Sequence, residues 1–220
     1  MKAKLILSGG MDSTTLLYLL KSRGVEVEAL TFDYGQRHRK EIAVAAAIAK
    51  VASVPHRVVD ISTLNPFLGN SSQTNPAIPV PEGRYDEESM KATVVPNRNM
   101  IFLAVAVAAA ISDKADAVYY GAHAGDHTIY PDCRPAFVGA MRRALKLCDW
   151  HKVRLCAPFL KKTKGDIAAL GYILKVPFHL TWTCYKGMEK HCGKCGACNE
   201  RKGAFAKAGL LDPVPYEEAQ

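Results

Sequence analysis

Long apolar runs are missing from this 220-residue sequence. A membrane-spanning helix needs about 20 consecutive apolar residues, and the stretch 101–111 falls short of that. The apolar start of the chain is also too short for a secretory leader, so the expectation is a soluble, cytoplasmic protein with no membrane partner. Internal repeats and low-complexity tracts are absent as well, which leaves one large domain, or one domain with a small appendage, and ample length for a full core. Lys and Arg exceed Asp and Glu by 29 − 21 = 8. Yet no arginine-rich tract interleaved with aromatics occurs. The basic balance therefore reads as solvated lysines plus a few ligands for anions such as ATP or carboxylates, and no stable nucleic-acid binding is expected.

Two familiar phosphate motifs are missing too: there is no Walker A lysine and no dinucleotide Gly-x-Gly-x-x-Gly spacing. What is present is Ser8-Gly9-Gly10-Met11-Asp12-Ser13, placed after a short apolar strand and before a helix pattern at Leu16, Leu17, Leu19 and Leu20. Paired glycines allow a tight turn with converging N–H groups, and the following helix offers free donors and a positive dipole end. Ser8, Ser13 and Thr14 add hydroxyls. Asp12 is placed either to cap the helix or to help hold Mg²⁺ against phosphates. The hexapeptide resembles the loop with which N-type ATP pyrophosphatases hold the β,γ-pyrophosphate.

Apolar strand-like runs at 5–7, 27–32, 57–61, 117–120 and 153–157 alternate with helix-period stretches at 13–22, 41–51, 100–112 and 136–148. This alternation predicts an α/β fold, a three-layer α/β/α arrangement around a mostly five-stranded parallel sheet. Its ligand site belongs at the C-terminal strand ends, where Ser8, Asp33 and Gly121 fall. The region 62–99, rich in Ser, Asn, Pro and Gly, reads either as a lid or as a flexible spacer.

Cys184, Cys192, Cys195 and Cys198 lie within fifteen residues, with two Cys-x-x-Cys steps. That density predicts a metal site in a small C-terminal segment, 180–220, following a nucleotide-binding unit over 1–179. Zn²⁺ is the first reading, with an iron–sulfur cluster as the rival and disulfides as a third possibility. Cys133, Cys148 and Cys156 read as buried thiols.

Taken in order, Ser8 to Thr15, Phe32-Asp33-Tyr34-Gly35-Gln36-Arg37-His38, Val95-Pro96-Asn97-Arg98-Asn99, Tyr130-Pro131-Asp132-Cys133-Arg134 and Thr183-Cys184-Tyr185 with the quartet resemble the 7-cyano-7-deazaguanine synthase (QueC) family of the PP-loop superfamily. The resemblance spans nearly the whole chain. It implies a carbon–nitrogen ligase of queuosine biosynthesis. Such an enzyme uses ATP and ammonia to convert 7-carboxy-7-deazaguanine to the nitrile through adenylated carboxylate and amide, releasing AMP and diphosphate. It also implies a homodimer. Under it, Ser8, Gly9, Gly10, Met11, Asp12, Ser13, Thr14, Phe32 and Asp33 are expected at ATP, with Asp12 catalytic; Arg98 and Lys164 are the candidate cations for the α-phosphate, Lys164 reading otherwise as a solvated lysine. Arg37, His38, Asp126, Tyr130, Asp132 and Arg134 are expected at the substrate. Asp126 and Asp132 are the acids proposed to read the donor pair of the deazaguanine ring, or else turn-forming aspartates. His123-Ala124-Gly125 stands where many members have Cys-Glu-Thr, and His127-Thr128-Ile129 where they have Phe-Ser-Gly. Two other readings keep the ATP motif: a relative that stops at the amide, and an ATP-dependent tRNA sulfurtransferase. A further reading is a nucleotide- or zinc-binding interaction module without catalysis.

Overall fold

The alternation of side chains along each strand divides the core into two faces. In β2 (Glu26–Asp33), Val27 and Ala29 pack on one side of the sheet, and Leu30 and Phe32 on the other. In β1 (Lys2–Ile6) and the turn after it, Leu5 and Leu7 face the first side, and Ile6 the second. A period of two with both phases apolar is what a strand covered on both faces requires. The computed structural model describes residues 1–83 and 87–217.

The strands β3 (His56–Asp60), β4 (Ala117–Tyr119) and β5 (Arg154–Cys156) complete an all-parallel sheet of order β3-β2-β1-β4-β5. Register pairs Leu5 with Ala29 on one side and with Tyr119 on the other. The helices are α1 (Met11–Ser22), α2 (Lys40–Val51), α3 (Glu87–Met90, one turn), α4 (Arg98–Ser112), α5 (Pro135–Cys148), α6 (Lys164–Ile173) and α7 (Gly196–Lys207). Helices α1, α2 and α6 supply Leu16, Leu17, Leu20, Ile48 and Ile167 to one face; α4 and α5 supply Leu103, Ala106, Val138 and Met141 to the other. Leu5, Leu16, Leu17 and Leu103 are fully buried, and each contributes about 1.5–3 kcal/mol by leaving water.

The expected three-layer α/β/α fold is therefore the observed one, with every strand in its expected place. The expectation did not include α6 or α7. Helix α6 opens on a capping box: Thr163 Oγ1 accepts from Asp166 N at 3.2 Å and Asp166 Oδ2 accepts from Thr163 N at 2.8 Å. That Thr-x-x-Asp spacing is a sequence-level start signal. Helix α7 carries little apolar periodicity because small residues and Arg201 share its buried face with a single large hydrophobe, Phe205. All five guanidinium donors of Arg201 are used. They go to both Asp212 oxygens (2.9 and 3.0 Å), Thr181 Oγ1 (2.7 Å), Thr183 Oγ1 (3.2 Å) and the Phe178 carbonyl (3.1 Å).

The described part of the 62–99 region is packed. Leu68, Met90 and Val95 enter the core, Ser71 and Ser72 are fully buried, and Ser72 N donates to the Ala92 carbonyl at 2.8 Å. Positions 84–86 of that region, and 218–220 of the C-terminal segment, lie outside the described residues. All seven cysteines are free. Cys133 is buried as expected, Cys156 is half-buried, and Cys148 is exposed, contrary to the expectation, because it ends α5 on the helix's solvent side.

Candidate active site

The strand order reverses between β1 and β4, and the crevice outside their C-terminal ends is where an open parallel sheet leaves room for a ligand. A cavity of about 230 Å³ opens there. Gly9 has φ +77°, and a Cβ at that position would stand 3.0 Å from Ala45 N, the Glu41 carbonyl and Val44 Cγ1, so only glycine lets the loop rest on α2. On the opposite side, a Cβ at Gly121 would lie 3.4 Å from Ser13 N. The loop is closed on itself: Ser13 Oγ accepts from Ser8 N at 3.2 Å, and Thr14 Oγ1 donates to the Gly10 carbonyl at 2.7 Å. Asp12 does not cap α1, whose N-cap is Gly10 and which has no side-chain cap.

Two polar clusters stand at the cavity: Asp12, Asp126, Lys164 and Arg98 reach its wall, and His123 and Glu200 support them from behind. At the phosphate-loop end, Lys164 Nζ donates to Glu200 Oε2 at 2.6 Å and lies 3.4 Å from Asp12 Oδ2. His123 Nε2 stands 3.4 Å from Asp126 Oδ2 and 3.7 Å from Asp12 Oδ2. His123 Nδ1 accepts from Gly125 N at 3.1 Å, which puts the ring proton on Nε2, facing the two acids. Burial pulls the Lys164 ammonium down, but the carboxylates of Asp12, Glu200 and Asp126 outweigh it and hold the group above the ordinary lysine value. Burial pushes Asp126 up to about 6 against the pull of His123 and Lys164. Asp12 Oδ1 is buried without a hydrogen-bond partner among the described residues. An orphaned carboxylate oxygen beside a phosphate loop fits a hard divalent cation such as Mg²⁺.

At the other end, Arg98 begins α4 among three phenols. Burial works against its charge, while Tyr34, Tyr130 and Tyr185 keep it firmly protonated. Tyr130 Oη is 2.7 Å from Thr93 Oγ1 and 3.2 Å from Tyr185 Oη. Phe32 stacks on Phe102 with ring centroids 4.3 Å apart, which fixes its place in the wall.

Of the expected residues, Ser8, Gly10, Met11, Asp12, Ser13, Phe32, Arg98, Lys164, Asp126 and Tyr130 line this one cavity. Gly9 and Thr14 belong to the loop without facing the cavity. The others lie elsewhere. Asp33 is buried in an ion pair with Arg39, and its Oδ1 accepts from Gly35 N at 3.2 Å. Asp132 Oδ2 accepts from Asn99 N at 3.0 Å, supporting the first turn of α4, where Asn97 takes φ +58°. Arg134 donates to the His127 carbonyl at 2.6 Å. Arg37 donates to the Ile78 carbonyl at 3.3 Å, and His38 packs beneath Gly187. Sequence reading quoted Tyr34 and Tyr185 only within motifs, without a role, and did not single out Glu41 or Glu200, because a glutamate on a helix reads as ordinary surface.

The four quartet sulfurs are buried and lie within 4.8 Å of one another. Cys192 Sγ and Cys198 Sγ are 3.9 Å apart. Backbone N–H groups of Lys194 and Cys195 point at Cys192 Sγ, at 3.4 and 3.3 Å, as a thiolate knuckle requires. The residues present therefore fit a metal ion. The segment touches the phosphate loop directly: Trp182 N donates to the Gly9 carbonyl at 3.0 Å. Lys40, at the start of α2, bonds the Met188 and Glu189 carbonyls (3.0 and 2.6 Å).

The sequence model described as "Queuosine biosynthesis protein QueC" matches residues 2–209. The chain belongs to the QueC family. A QueC relative from Methanoregula boonei named 7-cyano-7-deazaguanine synthase is 58% identical over 99% of this chain and 100% of its own length. One of the same name from Caldicellulosiruptor saccharolyticus is 54% identical over 99% of this chain and 96% of its own. Among solved structures, the U34-tRNA thiolase NcsA from Methanococcus maripaludis with its [4Fe-4S] cluster superposes at TM-score 0.53 and 18% identity, over 96% of this chain and 73% of that one. NMN synthetase from Francisella tularensis does so at 0.53 and 15%, over 95% and 77%. At such identities these two speak for the fold of this QueC chain. No helix among its described residues is long and apolar enough to cross a membrane.

Proposed function

We propose that this chain is an ATP-dependent carbon–nitrogen ligase that converts 7-carboxy-7-deazaguanine and ammonia to 7-cyano-7-deazaguanine in queuosine biosynthesis, in the cytoplasm and as a homodimer. The observation that carries the reading is the single cavity in which a phosphate loop meets Arg98 and its ring of phenols. A carboxylate is a poor electrophile until its oxygen is joined to the α-phosphate of ATP. Ammonia then displaces AMP to give the amide, whose oxygen is activated in the same way before AMP leaves and the nitrile forms. Both activations form a bond from oxygen to the α-phosphate and release diphosphate, so one nucleotide site serves twice.

In this reading Ser8, Gly10 and Ser13 bind the diphosphate, and Asp12 holds Mg²⁺ through its orphaned oxygen. Lys164 and Arg98 offset the charge that builds on the transferring phosphorus. Asp126, poised near 6 beside His123, accepts a proton from ammonium. The quartet takes Zn²⁺: a tetrahedron with bonds of ~2.3 Å has edges of roughly 3.8 Å, close to the 3.9 Å between Cys192 and Cys198. A cluster would insert irons and sulfides and spread the thiolates. The sulfurtransferase alternative needs a reactive thiol at ATP. Cys133 is the cysteine that lines the cavity, and burial pushes its thiol far up.

The test is incubation with ATP, Mg²⁺, ammonium and 7-carboxy-7-deazaguanine, with products followed by mass spectrometry. Nitrile with AMP is expected. Accumulating amide would move the assignment to the enzyme that stops halfway, and no AMP would refute the carboxylate substrate.

A further inference from the structure

The cavity contains a carboxylate for which the phosphate chemistry has no use. Asp12 and Asp126 are engaged with Lys164 and His123, Asp132 supports α4 and Asp33 is paired with Arg39. Glu41, in the first turn of α2, lines the same cavity. Among the described residues its side chain takes no hydrogen bond or ion pair. Its backbone is nonetheless fixed: the Glu41 carbonyl is one of the atoms against which Gly9 is packed, and neighbouring Lys40 is clamped to the knuckle.

We propose that Glu41 is the residue that selects the base, its carboxylate accepting in parallel from the ring N–H and the exocyclic amino group of the deazaguanine. This rests on the deazaguanine-carboxylate reading above and adds to it the group that recognises the ring. The chemistry is selective. A guanine-type edge presents two donors side by side, so it calls for a group that only accepts, and an ionised carboxylate is that group. An adenine edge presents one donor and one acceptor, and would call for the protonated acid. The state of Glu41 thus decides which ring it suits. Burial pushes it up to about 7 against the pull of Arg98. The groups that face it, Arg98 from α4 and Tyr34 after β2, keep one charge state between pH 5.5 and 8.5, since Tyr34 is raised by burial.

The experiment measures binding of 7-carboxy-7-deazaguanine, of its analogue lacking the 2-amino group, and of ATP, to the wild-type chain and to Glu41→Gln, from pH 5.5 to 8.5. The wild type is expected to prefer the amino-bearing compound by about ten- to a hundredfold, and Glu41→Gln to lose that preference while keeping its ATP affinity. With the acid protonated below its value of about 7, wild-type affinity for the substrate rises with pH and levels off above it. The variant lacks this step. Should the variant not fold, the wild type still decides, because its preference must shrink below pH 7. The proposal is overturned if Glu41→Gln still discriminates, if the wild type turns over without discriminating, or if ATP is the ligand that weakens in the variant. A wild type that neither binds the deazaguanine nor forms AMP from it refutes the functional reading itself, and this inference with it.

Discussion

Lys164 Nζ donates to Glu200 Oε2 at 2.6 Å, a contact that joins the start of α6 to the first turns of α7 across the phosphate end of the cavity. The cation to which the proposed function gives a catalytic role is thereby set by the segment that also carries the cysteine knuckle. An ammonium flanked by Glu200 and Asp12 is held in place before ATP arrives, which is the arrangement electrostatic catalysis demands.

Lys164→Met should lower AMP formation by about 10²–10³, the usual cost of losing one preorganised group that stabilises charge in the transition state. Lys164→Arg should recover part of this. Diphosphate release under saturating ATP is the measurement, and a wild-type rate in the methionine variant would remove Lys164 from the chemistry.

Gly9→Ala forces a side chain into φ +77° and against the backbone of α2. A left-handed non-glycine residue costs about 1–2 kcal/mol, and the contact adds to it. ATP affinity should fall with stability, as read by calorimetry and thermal unfolding; a silent substitution would mean that the loop does not rest on α2.

Asp126 titrates near 6 in the fold, against 3.8 for the free side chain. The folded state therefore holds the proton more tightly. The stabilisation this gives is fully present below about pH 4 and is lost as pH rises through 6. Asp126→Asn should be the more stable protein at pH 8, by an order of 1–3 kcal/mol, with the gap vanishing near pH 4. Unfolding curves at the two pH values check the sign. The variant should also be impaired in amide formation.

Removing the metal, by chelation or by Cys198→Ser, should return less than one zinc per chain and loosen the C-terminal segment. Metal analysis with hydrogen exchange over 180–217 tests this, and iron with sulfide in its place would refute zinc.

Arg201→Met leaves Asp212 buried beside Tyr216 without its cation. Breaking a buried pair on one side costs about 3–5 kcal/mol, to be read by denaturant unfolding. The double change with Asp212→Leu should recover much of the loss.

The sheet and four of the helices could be read directly from the sequence because strands buried on both faces are continuous apolar runs, and 13–22, 41–51, 100–112 and 136–148 carry helical spacing. Helix α7 could not, since its buried positions hold Gly196, Ala197, Cys198, Arg201 and Ala204, with Phe205 the one large hydrophobe among them. The phosphate loop was visible through its glycines, whose backbone need is local. Glu41 and Glu200 were not, since only the packing of α2 on Gly9 and of α7 on α6 turns them inward. Asp132 shows the converse: this motif acid is not among the residues lining the cavity, and its Oδ2 accepts from a backbone N–H of α4.

The bond from Trp182 N to the Gly9 carbonyl acts on a peptide plane. The Gly9 carbonyl and the Gly10 N–H share that rigid unit and point in opposite directions, so pinning the oxygen from the C-terminal side fixes where the hydrogen points. The orientation of that donor, which reaches Ser8 Oγ at 3.3 Å, is thus set once, during folding; under the proposed function the entropy of arranging it is not charged to each nucleotide that enters.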